Sequence, residues 1–279
     1  MGHETFTRTL LVKPNRLTYS RLVMNGPPRV DRRVFLAGAA SSLLAGPALG
    51  ARDAARPPVL VELFTSQGCN YCPPADAFVG ELIKRRDVIA VSLNVDYWDY
   101  DGWRDTLASP AFSQRQREYA RYRGDTAIYT PQIIVNGVGH LSGGDREKIL
   151  AIIDERASGA DDMVAVSLSD NPQEVVIEVA EATPRAPARD ATVWLVMVQP
   201  SATVKILRGE NQGRTITYHN VVRRLIPAGM WHGPRLRLAL PKSQVFTDGA
   251  SVCAAVVQVG GFGPVIGIAG LGPISGRTG

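Results

Sequence analysis

The chain has 279 residues, of which 45% are hydrophobic and 20% charged, a globular balance that excludes disorder throughout and leaves room for two modest domains. Its net charge of +5 is concentrated at the start: residues 1–50 carry seven Lys/Arg and two Asp/Glu, and the remainder carries 24 of each. The folded body is therefore formally neutral, which argues against nucleic acid and anionic membranes as its partners.

In chain order, the first feature is Asp31-Arg32-Arg33-Val34-Phe35-Leu36 followed by a weakly apolar, Ala- and Gly-rich stretch from Ala37 to Leu49. Paired arginines before such a stretch resemble a twin-arginine export signal. A stable transmembrane span is not expected here, because one needs about 20 predominantly apolar residues. Small side chains at Ala48-Leu49-Gly50-Ala51 suit cleavage, with an uncleaved anchor or an N-terminal arm as the alternative, and Met24 is a second candidate start. Export predicts a periplasmic or secreted protein in an oxidising compartment, where paired cysteines persist as disulfides.

Residues 1–50 thus read as leader, 51–57 as a linker, 58–160 as an α/β domain and 161–279 as a β-rich domain. In the α/β domain, Val59 to Phe64 reads as a buried strand, and Pro73-Pro74-Ala75-Asp76 suits the first turn of a helix running to about Arg86, since proline there lacks only an N–H that would go unpaired anyway. Val88 to Val95 is a second central strand. Ser109-Pro110 opens a helix that Gly124 stops. Ile133 to Val135 and Val138 to Leu141 flank Asn136-Gly137, a dipeptide suited to a two-residue hairpin turn. Asp145 to Ala157 reads as a helix burying Ile149, Leu150, Ile152 and Ile153.

From Met163 onward the pattern changes to short alternating runs, among them Val175 to Val179, Thr192 to Val198 and Leu236 to Leu240. Turn clusters such as Asp170-Asn171-Pro172 and Gly209-Glu210-Asn211-Gln212-Gly213 separate them, which predicts a sandwich-like arrangement of strands. The glycine clusters read as hairpin turns, since none has the spacing of a phosphate-cradling loop.

The chemistry sits in Cys69-Asn70-Tyr71-Cys72, placed between the first strand and its helix. A helix start offers unpaired N–H groups and the positive end of the macrodipole, so a thiolate at Cys69 would be stabilised, with a pKa of about 3.5–7.5 instead of about 8.5. As a zinc half-site the pair lacks a second ligand pair at suitable spacing among Cys253, His140, His219 and His232, so no metal is expected. A structural disulfide remains an alternative to redox chemistry. Cys253, in a strand-like run, reads as a small buried hydrophobe.

Together with Ile128-Tyr129-Thr130-Pro131-Gln132-Ile133 and Gly143-Gly144-Asp145, the cysteine pair resembles the thioredoxin superfamily. That resemblance implies a central mixed sheet flanked by helices, a cis-proline at Pro131 facing an exposed dithiol, and Thr130 pairing with extended substrate. Gln132, Gly143, Gly144 and Asp145 resemble glutaredoxin segments that hold glutathione, which implies glutathione as a candidate co-substrate. Glu62 resembles the buried acid that serves the second cysteine as proton acceptor, although it lies one residue further from the first cysteine than in thioredoxin. Glu62-Leu63-Phe64-Thr65-Ser66-Gln67-Gly68-Cys69, Asn94 to Asp99 and Arg208-Gly209-Glu210-Asn211 further resemble a bacterial secreted thioredoxin-like family known only as a domain of unknown function, over about residues 57 to 270.

The segment between the cysteines and Pro131 is longer than the one thioredoxin or glutaredoxin carries, and it contains Tyr97-Trp98-Asp99-Tyr100-Asp101-Gly102-Trp103-Arg104-Asp105. This stretch reads either as a substrate-binding wall containing Trp98 or as a packed loop capping the next helix. Tyr71, between the cysteines, is a further candidate contact. The expected function is an exported thiol-disulfide oxidoreductase in which Cys69 attacks and Cys72 resolves, with protein thiols and disulfides or glutathione as partners. The alternatives are a non-catalytic secreted binding or assembly protein with a structural disulfide, and glutaredoxin-like activity.

Overall fold

The structure is a computed structural model that describes residues 56–159 and 162–274. The arginine pair and the stretch read from sequence as an export leader lie outside the described residues. No helix among the described residues is long and apolar enough to cross a membrane.

The first half alternates strand and helix: β1 (Val59–Thr65), α1 (Pro73–Leu82), β2 (Val88–Asn94), a 3-10 turn at Asp99–Asp101, α2 (Pro110–Arg123), β3 (Gln132–Val135), β4 (Val138–Ser142) and α3 (Arg146–Ser158). Local chemistry sets these boundaries. Ser109 caps α2 by accepting from the Ala111 N–H at 3.3 Å, and Gly124 closes that helix in the left-handed conformation, where glycine meets no Cβ penalty. Asn136 and Gly137 both take positive φ, as the tight turn between β3 and β4 requires. Asn136 is also a tie, since its Oδ1 accepts from the Leu60 N–H at 2.7 Å.

The second half contains β5 (Val166–Asp170), β6 (Glu174–Val179), β7 (Ala191–Lys205), β8 (Thr215–Trp231), β9 (Leu236–Pro241), the short α4 (Lys242–Val245), β10 (Val252–Val259) and β11 (Val265–Leu271). The sequence reading divides the body at residue 160, but the sheet does not stop there. One eight-stranded mixed sheet runs β11-β10-β7-β8-β2-β1-β3-β4, and β5-β6-β9 form a separate three-stranded sheet. Within the large sheet β1 is parallel to β2 and antiparallel to β3, and β8 joins β2 in parallel at Ser92 and Val221. That join is short in backbone pairing and reinforced by side chains: Ser92 Oγ donates to His219 O at 3.0 Å, and Asn220 Nδ2 donates to Ala90 O at 2.9 Å and Ile274 O at 2.8 Å. The described residues of both halves accordingly form a single compact unit.

Strand alternation distributes the core among three main layers. Val59, Val61 and Leu63 of β1 point to the face covered by α1 and α3, where they meet Phe78, Leu82, Ile149 and Ile153. Leu60 and Phe64 point to the opposite face, with Phe112 and Tyr119 of α2. The small sheet packs Val175, Ile177 and Val179 against Val193, Leu195 and Val257, giving the second half its sandwich character. Cys253 lies inside that layer, fully buried, and burial pushes its thiol up to about 12.

Candidate functional site

The Cys69 and Cys72 sulfurs sit at disulfide distance, with Cα atoms 5.5 Å apart. Cys72 is the N-cap of α1, and two prolines follow it. Pro73 and Pro74 supply no N–H, and the next two N–H groups, of Ala75 and Asp76, donate to Cys72 O at 2.9 and 3.0 Å. Fewer free donors than expected therefore face the cysteines, although the helix dipole remains. Both cysteines are 0% exposed, whereas Tyr71 between them is 77% exposed. The exposed dithiol expected from sequence is corrected to a buried one.

The Thr130–Pro131 bond is cis, and Thr130 O lies 3.7 Å from Cys69 Sγ. Gly143 explains how the cis-proline loop and α1 come so close: a Cβ there would lie 2.7 Å from Ala75 Cβ and 2.8 Å from Pro131 Cβ. Its N–H donates to Pro131 O at 2.9 Å. Gly143 thus has a packing role, Gly144 is exposed, and Asp145 is the N-cap position of α3 without a side-chain cap bond. Gln132 is fully buried, accepting from Gln116 Nε2 at 2.9 Å and donating to Ala127 O at 3.0 Å. Its amide is committed to the core, so the glutathione contact expected of it is not available.

The aromatic and acidic stretch folds onto the same place. Trp98 Nε1 donates to Thr130 Oγ1 at 2.8 Å, Trp98 stacks on Tyr100, and Trp103 Nε1 donates to Gln67 Oε1 at 2.8 Å. Buried Asp105 accepts from the Gln67 N–H at 2.7 Å, Asn94 Nδ2 at 3.0 Å and the Leu107 N–H at 2.8 Å. The two readings of this stretch merge: its tryptophans brace the cysteine and proline loops, while Tyr100, 81% exposed, faces outward.

Glu62 is a correction. It lies on the α2 face of the sheet, where Arg115 Nε donates to Oε1 at 2.7 Å and the Tyr119 hydroxyl donates to Oε2. Arg115 also donates to Tyr119 OH at 2.9 Å and Gln258 Oε1 at 3.0 Å. Strand side chains alternate faces, so the one-residue offset from the thioredoxin position sends this acid to the side away from α1 and the cysteines. Leu63 occupies the cysteine side instead.

The buried acid on the α1 side is Asp76, which sequence reasoning had placed only in the first turn of the helix. It stands four residues after Cys72, and helix side chains lean toward the N-terminus, so its carboxyl is directed at the Cys72 turn. Thr65 Oγ1 donates to Oδ1 at 2.7 Å, and Oδ2 has no hydrogen-bond partner. Burial pushes the Asp76 carboxyl up to about 8; the Thr65 bond opposes that rise and the negative charge of Asp105 adds to it. Tyr218 of β8 has a fully buried hydroxyl without a partner, raised by burial and by the same two carboxylates. The spacing of Cys72 and Asp76 on one buried helix face was the available sequence signal for this group. Tyr218 carried no such signal, because it arrives from a distant strand.

The second missed element is the loop between β7 and β8. Asn211 Nδ2 donates to Gln67 O at 2.9 Å and Cys69 O at 2.8 Å, and Glu210 Oε2 accepts from the Asn70 N–H at 3.3 Å.

Residues 60–258 match the family described as a protein of unknown function, DUF1223. The chain belongs to that family. It is similar to an X-ray crystal structure of an Agrobacterium tumefaciens protein, with 33% identity, a TM-score of 0.67, and coverage of 78% of this chain and 94% of that one. A more distant likeness in fold is to HBP35 of Porphyromonas gingivalis, with 13% identity, a TM-score of 0.54, and coverage of 77% and 75%. No curated protein matches.

Proposed function

We propose that this protein is an exported, thioredoxin-like thiol-disulfide oxidoreductase in which Cys69 is the nucleophile and Cys72 the resolving thiol. The observation that carries the reading is the convergence of the paired cysteines at the start of α1 with the cis Thr130–Pro131 loop, 3.7 Å from Cys69 Sγ. The β2-β1-β3-β4 order, with α1 and α3 on one face and α2 on the other, supports the thioredoxin-like assignment. Export is supported by the arginine pair and small-residue stretch of the leader.

Chemically, the Cys69 thiolate attacks a substrate disulfide and forms a mixed disulfide, and the electron pair of the broken bond leaves on the substrate's second sulfur. Cys72 then attacks Cys69 Sγ, which closes the protein disulfide and releases the substrate as a dithiol. Asp76 is buried in the first turn after Cys72 with one oxygen unpartnered, and in its ionised form, reached as pH approaches about 8, it is the group suited to take the Cys72 proton. Thr130 and Trp98 shape the approach to Cys69.

Cys69→Ser is expected to abolish exchange with a model protein disulfide, and Cys72→Ser to accumulate the mixed disulfide on a diagonal gel. Turnover retained in the first variant would eliminate the mechanism. A second reading, a secreted binding protein with a structural disulfide, is favoured by the complete burial of both sulfurs. Thiol titration separates the two: a reactive, low-pKa Cys69 supports exchange, and an inert pair supports binding.

A further inference from the structure

The ribbon formed by β7 and β8 leaves the body of the sheet. β10 pairs with β7 only as far as Val198, and β2 pairs with β8 at Val221, so the pairs from Ser201 with His219 to Lys205 with Thr215 form a two-stranded arm. A two-stranded ribbon is marginally stable alone and depends on what it touches. Its tip, by contrast, is tightly built. Ile206 N–H donates to Arg214 O and Gly213 N–H to Ile206 O, both at 2.9 Å, while Gln212 N–H donates to Gly209 O at 3.0 Å. Ile206 and Asn211 are buried, and Gly209 and Gly213 take the positive φ that folds the loop back.

This compact tip is fastened to the backbone around the cysteines by side chains: Asn211 Nδ2 to Gln67 O and Cys69 O, and Glu210 to the Asn70 N–H. Asn211 is 1% exposed, and its Oδ1 has no partner. An attacking thiolate must reach a sulfur, yet Cys69 and Cys72 have no exposed surface.

From these contacts we infer that the Gly209–Gly213 tip is a gate on the dithiol, latched by Asn211, that must lift before any external thiol or disulfide reaches Cys69. The inference rests on the reading of Cys69 and Cys72 as a reactive pair. Below the tip the ribbon is packed, with Tyr218, Ala202, Val204 and Ile216 against Leu107 and β8 against α1. The movement is therefore confined to the tip beyond the Lys205–Thr215 pair, which moves as a unit because its own hydrogen bonds are internal. In the lifted state an external thiolate bonds to Cys69 Sγ, the protein S–S bond breaks, and its electron pair leaves on Cys72, which takes up a proton. A second thiolate of the same reductant then displaces Cys69, so the reductant ends as a disulfide and the protein as a dithiol.

The test is the second-order rate of reduction of the oxidised full chain by dithiothreitol, followed by thiol alkylation and mass. Asn211→Ala and Asn211→Asp remove the two latch bonds and should raise the rate about tenfold. Glu210→Gln, at an exposed single contact, should raise it less. Rates equal to wild type in both Asn211 variants, with far-UV spectrum and melting unchanged, would overturn the gate. Should those variants fail to fold, hydrogen exchange on the unaltered protein decides. The gate requires the Asn70 amide and residues 206–214 to exchange faster than Val193–Val198 of β7, and equal protection throughout would overturn it. Dithiothreitol reduces any accessible disulfide, so this outcome is independent of whether Cys69→Ser abolishes exchange with a protein substrate.

Discussion

The two faces of the central sheet each bury a carboxylate, and the contrast between them separates architecture from chemistry. On the α2 face, Glu62 is held by Arg115 and Tyr119, with Gln258 of β10 binding both of those partners. On the α1 face, Asp76 has one hydroxyl partner, no cation and an unpartnered oxygen. A buried charge that is paired and hydrogen-bonded is tolerated, and an unpaired one shifts its pKa and holds its proton instead. Glu62 therefore reads as a rivet joining the first half of the chain to β10. Asp76 reads as a proton store one helical turn from Cys72.

The largest effect should come from breaking the rivet. Arg115 lies against the rings of Tyr119, Trp194 and Phe262, 4.9 to 5.8 Å from their centroids, and is almost fully buried with its partner. Replacing it with methionine keeps much of the volume and leaves Glu62 buried without a cation. Such a loss costs about 3–5 kcal/mol, measurable as a lowered urea midpoint. If Arg115→Met is as stable as wild type, Glu62 has another means of compensation and the contrast between the two acids dissolves.

Asp76→Asn comes next, and here the sign runs against the usual carboxylate. The unfolded chain releases this proton around the ordinary value of 3.8, and the native chain holds it to about 8. Between those values the native state binds more protons, so the stability associated with this group is fully present below 3.8 and is lost as pH rises toward 8. Wild-type stability should therefore fall from pH 5 to pH 8 by about a few kcal/mol from this group alone. The amide oxygen introduced by Asp76→Asn can still accept from Thr65, and the variant should lose that slope in denaturant titrations at the two pH values. A slope identical to wild type would mean that Asp76 ionises near its ordinary value. The same substitution should slow the resolving step if Asp76 receives the Cys72 proton, since positioned proton transfer contributes about 10²-fold or more.

Much of the first half was legible because its signals are local. Pro73-Pro74 opens α1, Gly124 closes α2, and Asn136-Gly137 turns β3 into β4, each through the backbone preferences of the residues at that point. What stayed hidden depends on contacts between distant segments. The parallel join of β8 to β2 brings Val221 to Ser92 from far along the chain, and no pattern within either strand specifies its neighbour. Asn211 lies in a glycine-flanked turn that looks like any hairpin end, yet folding carries it onto Cys69 O. Glu62 was misread for a simpler reason. Its identity as a buried acid is correct, but an offset of one residue in a strand decides the face, and the face decides the partner.

The smallest expected effect tests how the cis-proline loop is held on the cysteine side. Trp98 Nε1 reaches Thr130 Oγ1 at 2.8 Å, while Trp98 also abuts Gly68, where a Cβ would lie 3.0 Å from Trp98 Cβ. One side chain therefore touches both loops that bracket Cys69. Trp98→Phe retains an aromatic ring able to stack on Tyr100 and removes the indole N–H. The lost bond is worth about 1 kcal/mol, a small shift in the denaturation midpoint. If Trp98 positions Thr130 for substrate, exchange with a cysteine-containing peptide should slow while reduction by dithiothreitol is unchanged, because the small reagent needs no loop to align it. Equal slowing of both reactions would instead make Trp98 a general brace of the dithiol loop, on a par with Trp103.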